Sequence, residues 1–245
     1  MNLQRIKGYT RRNLWEIYND KIGFILLITM PLIIFAVTKI ASLFDNEAPL
    51  PIEGIFAIGS LISFVQLIPQ IGVTIAKDRN SGLLNRAFLS PVKSYEYIIS
   101  YAIPYILFNI FHILVMTIAS IIMGMSISPM FVVFVVMIIP IALFFICIGI
   151  LAGSIFSEKV VPVVLLPILG LTFFMNNFSG GGMNAENGYV IFIYILPFAN
   201  MFDIISTSIV GGPNKFLWAN VLIVLVYVVP IIIGTGILFK KRLRK

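Results

Sequence analysis

Charge is what this chain has least of: 11% of its 245 residues are charged and 60% are hydrophobic, where a soluble domain carries about 25% and roughly 45–50%. That imbalance excludes a solvated globular domain and points to an integral membrane protein. The single cysteine, Cys147, excludes an intrachain disulfide and reads as a small buried hydrophobe. The single histidine, His112, leaves no Cys/His cluster of metal-ligand spacing and at most one Ser/His pairing for an intramembrane protease. No G-x-x-x-x-G-K-[ST] run occurs, so nothing here cradles ATP phosphates in the usual way. H-E-x-x-H and G-x-S-x-G are missing as well, and catalysis by this chain is not expected. Alternating strand patterns are also lacking, which excludes an outer-membrane barrel.

What is present is a series of long apolar runs. A helix crossing about 30 Å of hydrocarbon needs about 20 apolar residues. Six runs meet that length, approximately Ile22 to Phe44, Gly54 to Ala76, Tyr95 to Met125, Met130 to Phe156, Val160 to Phe178 and Phe216 to Phe239. Each is expected to be helical, because unpaired backbone groups cannot face lipid. The first follows about twenty charged and aromatic residues and precedes no small-residue cleavage pattern, so it reads as a retained span rather than a signal peptide. The expected fold is a single all-α transmembrane domain over residues 1–245 with six transmembrane helices.

Lysine and arginine set its orientation. Fifteen of the seventeen fall in the N-terminal stretch, the second connection, the turn at Lys159 and the tail beyond Phe239, leaving Lys39 and Lys215 on the other side. By the positive-inside rule both termini are cytoplasmic. The net charge of +7 therefore reports topology, and no nucleic-acid partner is needed to account for it. Abundant Ile, Lys and Asn with little Ala or Arg suit a low-GC bacterium, and the expected location is a bacterial cytoplasmic membrane.

Between the spans lie three organised segments. Residues 1–21 place Leu3, Ile6, Thr10, Leu14 and Ile17 at helical spacing among Arg5, Lys7, Arg11 and Arg12, which predicts an amphipathic helix in contact with membrane lipid, with Tyr9, Trp15 and Tyr18 at headgroup depth. Residues 77–94 form a charged amphipathic island long enough for a short cytoplasmic helix, and Ser157-Glu158-Lys159 makes a short turn on the same side. Residues 179–215 open on Gly180-Gly181-Gly182, become apolar from Tyr189 to Phe198 and reach Pro197; that stretch is too short to span and reads as re-entrant or interfacial. An uncharged hairpin at Gly124 to Pro129 joins the third and fourth runs.

Polar groups inside the apolar runs are few. Asn109 and His112 lie one helical turn apart in the third run, and Asn176 and Asn177 close the fifth; these four are candidates for a substrate pathway. No carboxylate lies mid-span, which disfavours a proton-coupled, ATP-independent carrier. Pro31, Pro69, Pro104, Pro140, Pro162, Pro167 and Pro230 are candidate kinks.

The island beginning at Lys77 resembles the first coupling region of ABC-2 type exporter permeases. It offers Asp78 and Arg79, then Gly82, then Leu83, Leu84, Arg86 and Leu89, then Pro91, with Tyr95 opening the next span. The order of spans, the N-terminal interfacial helix, the turn carrying Glu158 and Lys159 and the outer segment before the last span match the same pattern. Two positions depart from it: Asp78 stands where Glu is commoner, and Leu83 follows Gly82 where Thr is common. The resemblance implies the membrane subunit of an exporter that pairs with itself or a related permease. Separate cytosolic ABC ATPases would bind ATP and Mg, and this chain would hold no cofactor. Asp78, Arg79 and Arg86 would then dock on the ATPase, while Leu83, Leu84, Phe88 and Leu89 hold the helix to the span ends. The competing reading is a non-transporting immunity or scaffold protein that binds a partner through the outer segment.

Overall fold

The computed structural model describes residues 3–21, 51–84, 94–163, 194–211 and 216–242, with isolated positions between 25 and 40 and at 167, 168 and 170. Apolar residues without strand alternation leave the helix as the one way to satisfy the backbone, and the described elements are helical. In chain order they are α1 (Leu3–Asn19), α2 (Ile52–Val65), α3 (Leu67–Asn80), α4 (Ser94–Ile122), α5 (Phe131–Ile155), α6 (Pro197–Val210) and α7 (Leu217–Arg242).

Four helical stretches are long and apolar enough to cross a bilayer: Ile52–Asn80, Ser94–Ile122, Phe131–Ile155 and Leu217–Phe239. They correspond to the second, third, fourth and sixth apolar runs. Most of the first and fifth runs lies outside the described residues. The chain is a multi-pass, all-α membrane protein.

The first of these four stretches is broken at Gln66 into α2 and α3. Pro69 supplies the cause, since it lacks the N–H that would reach the carbonyl of Val65. Pro104, Pro140 and Pro230, expected as kinks on the same grounds, lie inside helices that continue through them.

Helices α3 and α5 approach closely. A Cβ on Gly72 would lie 2.9 Å from the carbonyl oxygen of Gly149, and one on Gly153 would lie 2.9 Å from the Cα of Gly72. Small residues let the two backbones touch, which in lipid supplies packing that the hydrophobic effect cannot. Gly149 and Gly153 stand in a G-x-x-x-G spacing, the signal from which this contact is legible.

Helix α4 ends in a Schellman turn, with Gly124 at φ +97, its N–H on the carbonyl of Ile121 and that of Met125 on Ser120. The chain then reverses into α5. Helix α6 starts halfway along α5, where Phe198 meets Phe144 and Phe145 at ring centroids 6.0 and 6.2 Å apart. It ends beside the α4–α5 turn, where Gly211 adopts φ +71 and a side chain there would run into Ser128. The short apolar stretch was expected to end at Pro197; helical residues Tyr194 and Ile195 stop at Leu196, and Pro197 opens α6. Its missing N–H belongs to a first-turn position that has no intrahelical acceptor. Asp203 on α6 is buried and accepts a hydrogen bond from Tyr194 at 2.6 Å.

Helix α7 packs on α5 and α6. Trp218, Leu222, Val226, Val229, Ile233 and Ile237 form its exposed stripe, at the spacing of a lipid-facing helical edge.

Candidate functional site

One end of the bundle collects the basic residues of α1, the end of α3, the start of α4 and the turn after α5. Helix α1 packs against α4, and contacts advance along both in the same direction. Tyr9 stacks on Tyr97 with centroids 4.5 Å apart, and the Tyr97 hydroxyl donates to that of Tyr9 at 2.7 Å. One turn on, Asn13 Nδ2 donates to the carbonyl of Ser100 at 3.1 Å. Tyr9, expected at headgroup depth, is therefore turned into the bundle, while Trp15 and Tyr18 stay exposed.

Asp78 lies at the centre of this end and is 3% exposed. Arg12 forks onto it, Nη2 to Oδ1 at 2.6 Å and Nη1 to Oδ2 at 3.0 Å, and Nη2 also reaches Glu16 Oε2 at 2.6 Å. The Tyr101 hydroxyl donates to Asp78 Oδ2. The carboxylate thus faces inward onto α1 and α4, which differs from an outward docking charge. A carboxylate removed from water requires such partners, because an unpaired buried charge costs several kcal/mol, on the order of 3–5. Burial alone would lower the Arg12 pKa, but the hydrogen bond and charge of Asp78 outweigh it and the guanidinium is held more firmly protonated. Burial and then the negative charge of Asp78 push the Glu16 carboxyl above its ordinary range.

Arg79 faces the other way, onto α5. Its Nη1 donates to the carbonyl of Ser154 at 2.7 Å and its Nη2 to that of Phe156 at 2.8 Å. These carbonyls end α5 with no partner in the next turn, and a cation there also complements the helix dipole. Asn80 Nδ2 donates to Glu158 Oε1 at 3.0 Å, so the island and the Ser157-Glu158-Lys159 turn meet in space. Lys159 is exposed beside them. Further in, the hydroxyls of Thr74 and Tyr105 lie 2.6 Å apart and tie α3 to α4.

Helix α3 stops where Gly82 takes φ +70 and its N–H bonds to the carbonyl of Arg79 at 3.1 Å. A side chain would be strained in that left-handed conformation. Beyond it Leu83 is half-buried and Leu84 fully buried. Arg86, Leu89 and Pro91 lie outside the described residues.

A family model of ABC-2 type transporters matches residues 4–210. The chain belongs to that family. A search of curated proteins finds no match to it. As an ABC-2 member the chain is a permease component of an ABC transporter, a transmembrane subunit without an ATPase site of its own. Permeases of this kind work with an ABC ATPase and dimerise.

Within this permease, Asn109 and His112 are buried in α4, and Asn109 Nδ2 donates to Ser63 Oγ on α2 at 3.1 Å. Asn109 therefore serves helix contact in this structure. Asn176 and Asn177 lie outside the described residues. The sequence reading missed Arg12 and Tyr101 as partners of Asp78. The four-residue spacing of Arg12 and Glu16 is that of a pair on α1, but nothing in the sequence signals that Arg12 would also meet Asp78, 66 positions away.

Proposed function

We propose that this permease couples ATP hydrolysis by a separate cytosolic ATPase to export of a hydrophobic or amphipathic molecule, a drug or peptide being favoured. The observation that carries the coupling part is the way α3 ends. Within Asp78 to Asn80 the chain is fastened to α1 by Arg12, to α4 by Tyr101 and to α5 by Arg79 and the Glu158 turn. A load applied to the island just beyond Gly82 would reach three neighbouring helices through charge-assisted bonds, the strong kind. The surface that receives it includes Lys77, Leu83 and Lys159, with Leu84 anchoring the segment. Both termini are cytoplasmic in this reading, in a bacterial cell membrane, and the second permease is another copy or a related chain. ATP and Mg belong to the ATPase. The nearly charge-free spans favour an apolar or amphipathic cargo over a polysaccharide.

The test is recovery of the chain from native membranes with its bound proteins, followed by an ATPase assay with candidate cargos. Recovery of a stoichiometric ATPase that is lost when residues 77–93 are replaced by a neutral linker is the expected result. In the recovered complex, Arg86→Glu leaves hydrolysis but abolishes export. Finding no ATPase would refute this reading in favour of an immunity or scaffold role, and stimulation by lipid-linked glycans alone would refute the cargo preference.

A further inference from the structure

Two consecutive arginines on α1 are paired differently. Arg12 turns inward to Asp78 and Glu16, whereas Arg11 is exposed and pairs with no carboxylate among the described residues. Arg11 and Arg12 both border a cleft of about 830 Å³ between α1 and α4, whose other walls include Trp15, Tyr18 and Phe108, and Arg11 is the one whose charge is not already paired there. Trp15 and Tyr18 are 65% and 64% exposed.

The cleft has a polar end and an apolar end. Asn13, two residues past Arg11, meets Ser100 near the start of α4, while Phe108 lies eight residues further along that helix, toward the middle of the span. From Phe108 the exposed edge of α4 continues through Leu107 and Phe111, 53% and 47% exposed. A cation beside aromatic residues, followed by an apolar track running into the span, suits a molecule with an anionic head and a hydrocarbon tail. Trp and Tyr favour such a boundary because each ring has an apolar body and a polar tip.

We propose that this cleft binds one anionic phospholipid of the leaflet at the basic end, its phosphate on Arg11 and an acyl chain along Phe108 and Phe111. The bound lipid braces α1 beside Arg12, which borders the cleft and carries the ion pair to Asp78. Lipid composition thereby reaches the polar cluster that ties α1 to α3. The proposal does not depend on the exporter reading, because its test needs neither ATPase nor cargo.

The test is native mass spectrometry of the purified permease, titrated with phosphatidylglycerol and with phosphatidylcholine of the same chain length. One phosphatidylglycerol retained per chain, in preference to phosphatidylcholine, is expected. Arg11→Gln should weaken phosphatidylglycerol binding about fivefold, the factor corresponding to about 1 kcal/mol per cation at an anionic surface, and leave phosphatidylcholine unchanged. Arg11→Lys should retain most of the preference, and Trp15→Ala should weaken both lipids. Equal retention of the two lipids, or Arg11→Gln binding phosphatidylglycerol as wild type does while thermal unfolding shows it folded, would overturn the proposal. Competition by free glycerophosphate would overturn it too, since it would mean a phosphate site without the acyl track.

Discussion

Replacing Arg12 by Met keeps much of the volume of the side chain and removes its charge, leaving Asp78 buried with Tyr101 as its remaining side-chain donor. Breaking a buried ion pair from one side costs about 3–5 kcal/mol. The Arg12 side chain keeps 29% of its surface in solvent, so water can follow the lost guanidinium, and the lower end, about 3 kcal/mol, is expected. Asp78→Asn removes the charge from the buried side and leaves Arg12 with Glu16, costing about 2 kcal/mol on the same reasoning. The informative variant is the double. Once Asp78 is neutral, loss of Arg12 strands no deeply buried charge, and the double should be little worse than Arg12→Met alone. That corresponds to a coupling of about 2 kcal/mol, well outside the additivity of independent sites. Equilibrium unfolding in detergent micelles gives the four free energies. Additive losses, within about 0.5 kcal/mol, would refute the placement of these two side chains against each other.

Arg79→Met should uncap α5 and cost about 1.5 kcal/mol, with faster hydrogen exchange at the end of α5 next to Phe156 as the local readout. Gly153→Ala places a methyl against the backbone of Gly72 and should lower stability by about 1–3 kcal/mol, whereas Gly236→Ala, where a Cβ meets open space, should leave the unfolding midpoint unchanged. Glu16 makes a pH dependence: its folded value is raised, so the folded state binds the proton more tightly, and stability is gained as pH falls through that raised value and lost as pH rises past it. Glu16→Gln should flatten that part of the profile just above the ordinary carboxylate range, and an unchanged profile would count against the burial assigned to Glu16.

Much of the fold was legible because the bilayer leaves few alternatives. The runs ending in the α3, α4, α5 and α7 spans announced themselves by length and hydropathy, and the amphipathic spacing of Leu3 to Ile17 announced α1. Pro197 marked the end of one apolar stretch, and the structure adds that it also opens α6, whose Phe198 packs on Phe144 and Phe145. Among the prolines expected to kink spans, Pro69 interrupts its helix and Pro104, Pro140 and Pro230 do not, a distinction that depends on what packs around each turn.

The candidate site divides in the same manner. The island from Lys77 was visible as charge between apolar runs; that α3 would run into it and stop at Gly82 was not. That Asp78 would turn inward, that Arg79 would cap a different helix, and that Arg12 but not its neighbour Arg11 would pair with Asp78 were beyond the sequence. Sequence by itself determined the four described stretches long and apolar enough to cross a membrane, and which end is basic, because transfer from water depends on composition and local spacing. Tertiary structure alone decided the partners of each charge, because those partners lie tens of residues apart and are selected by helix packing, from the close contact at Gly72 and Gly153 outward.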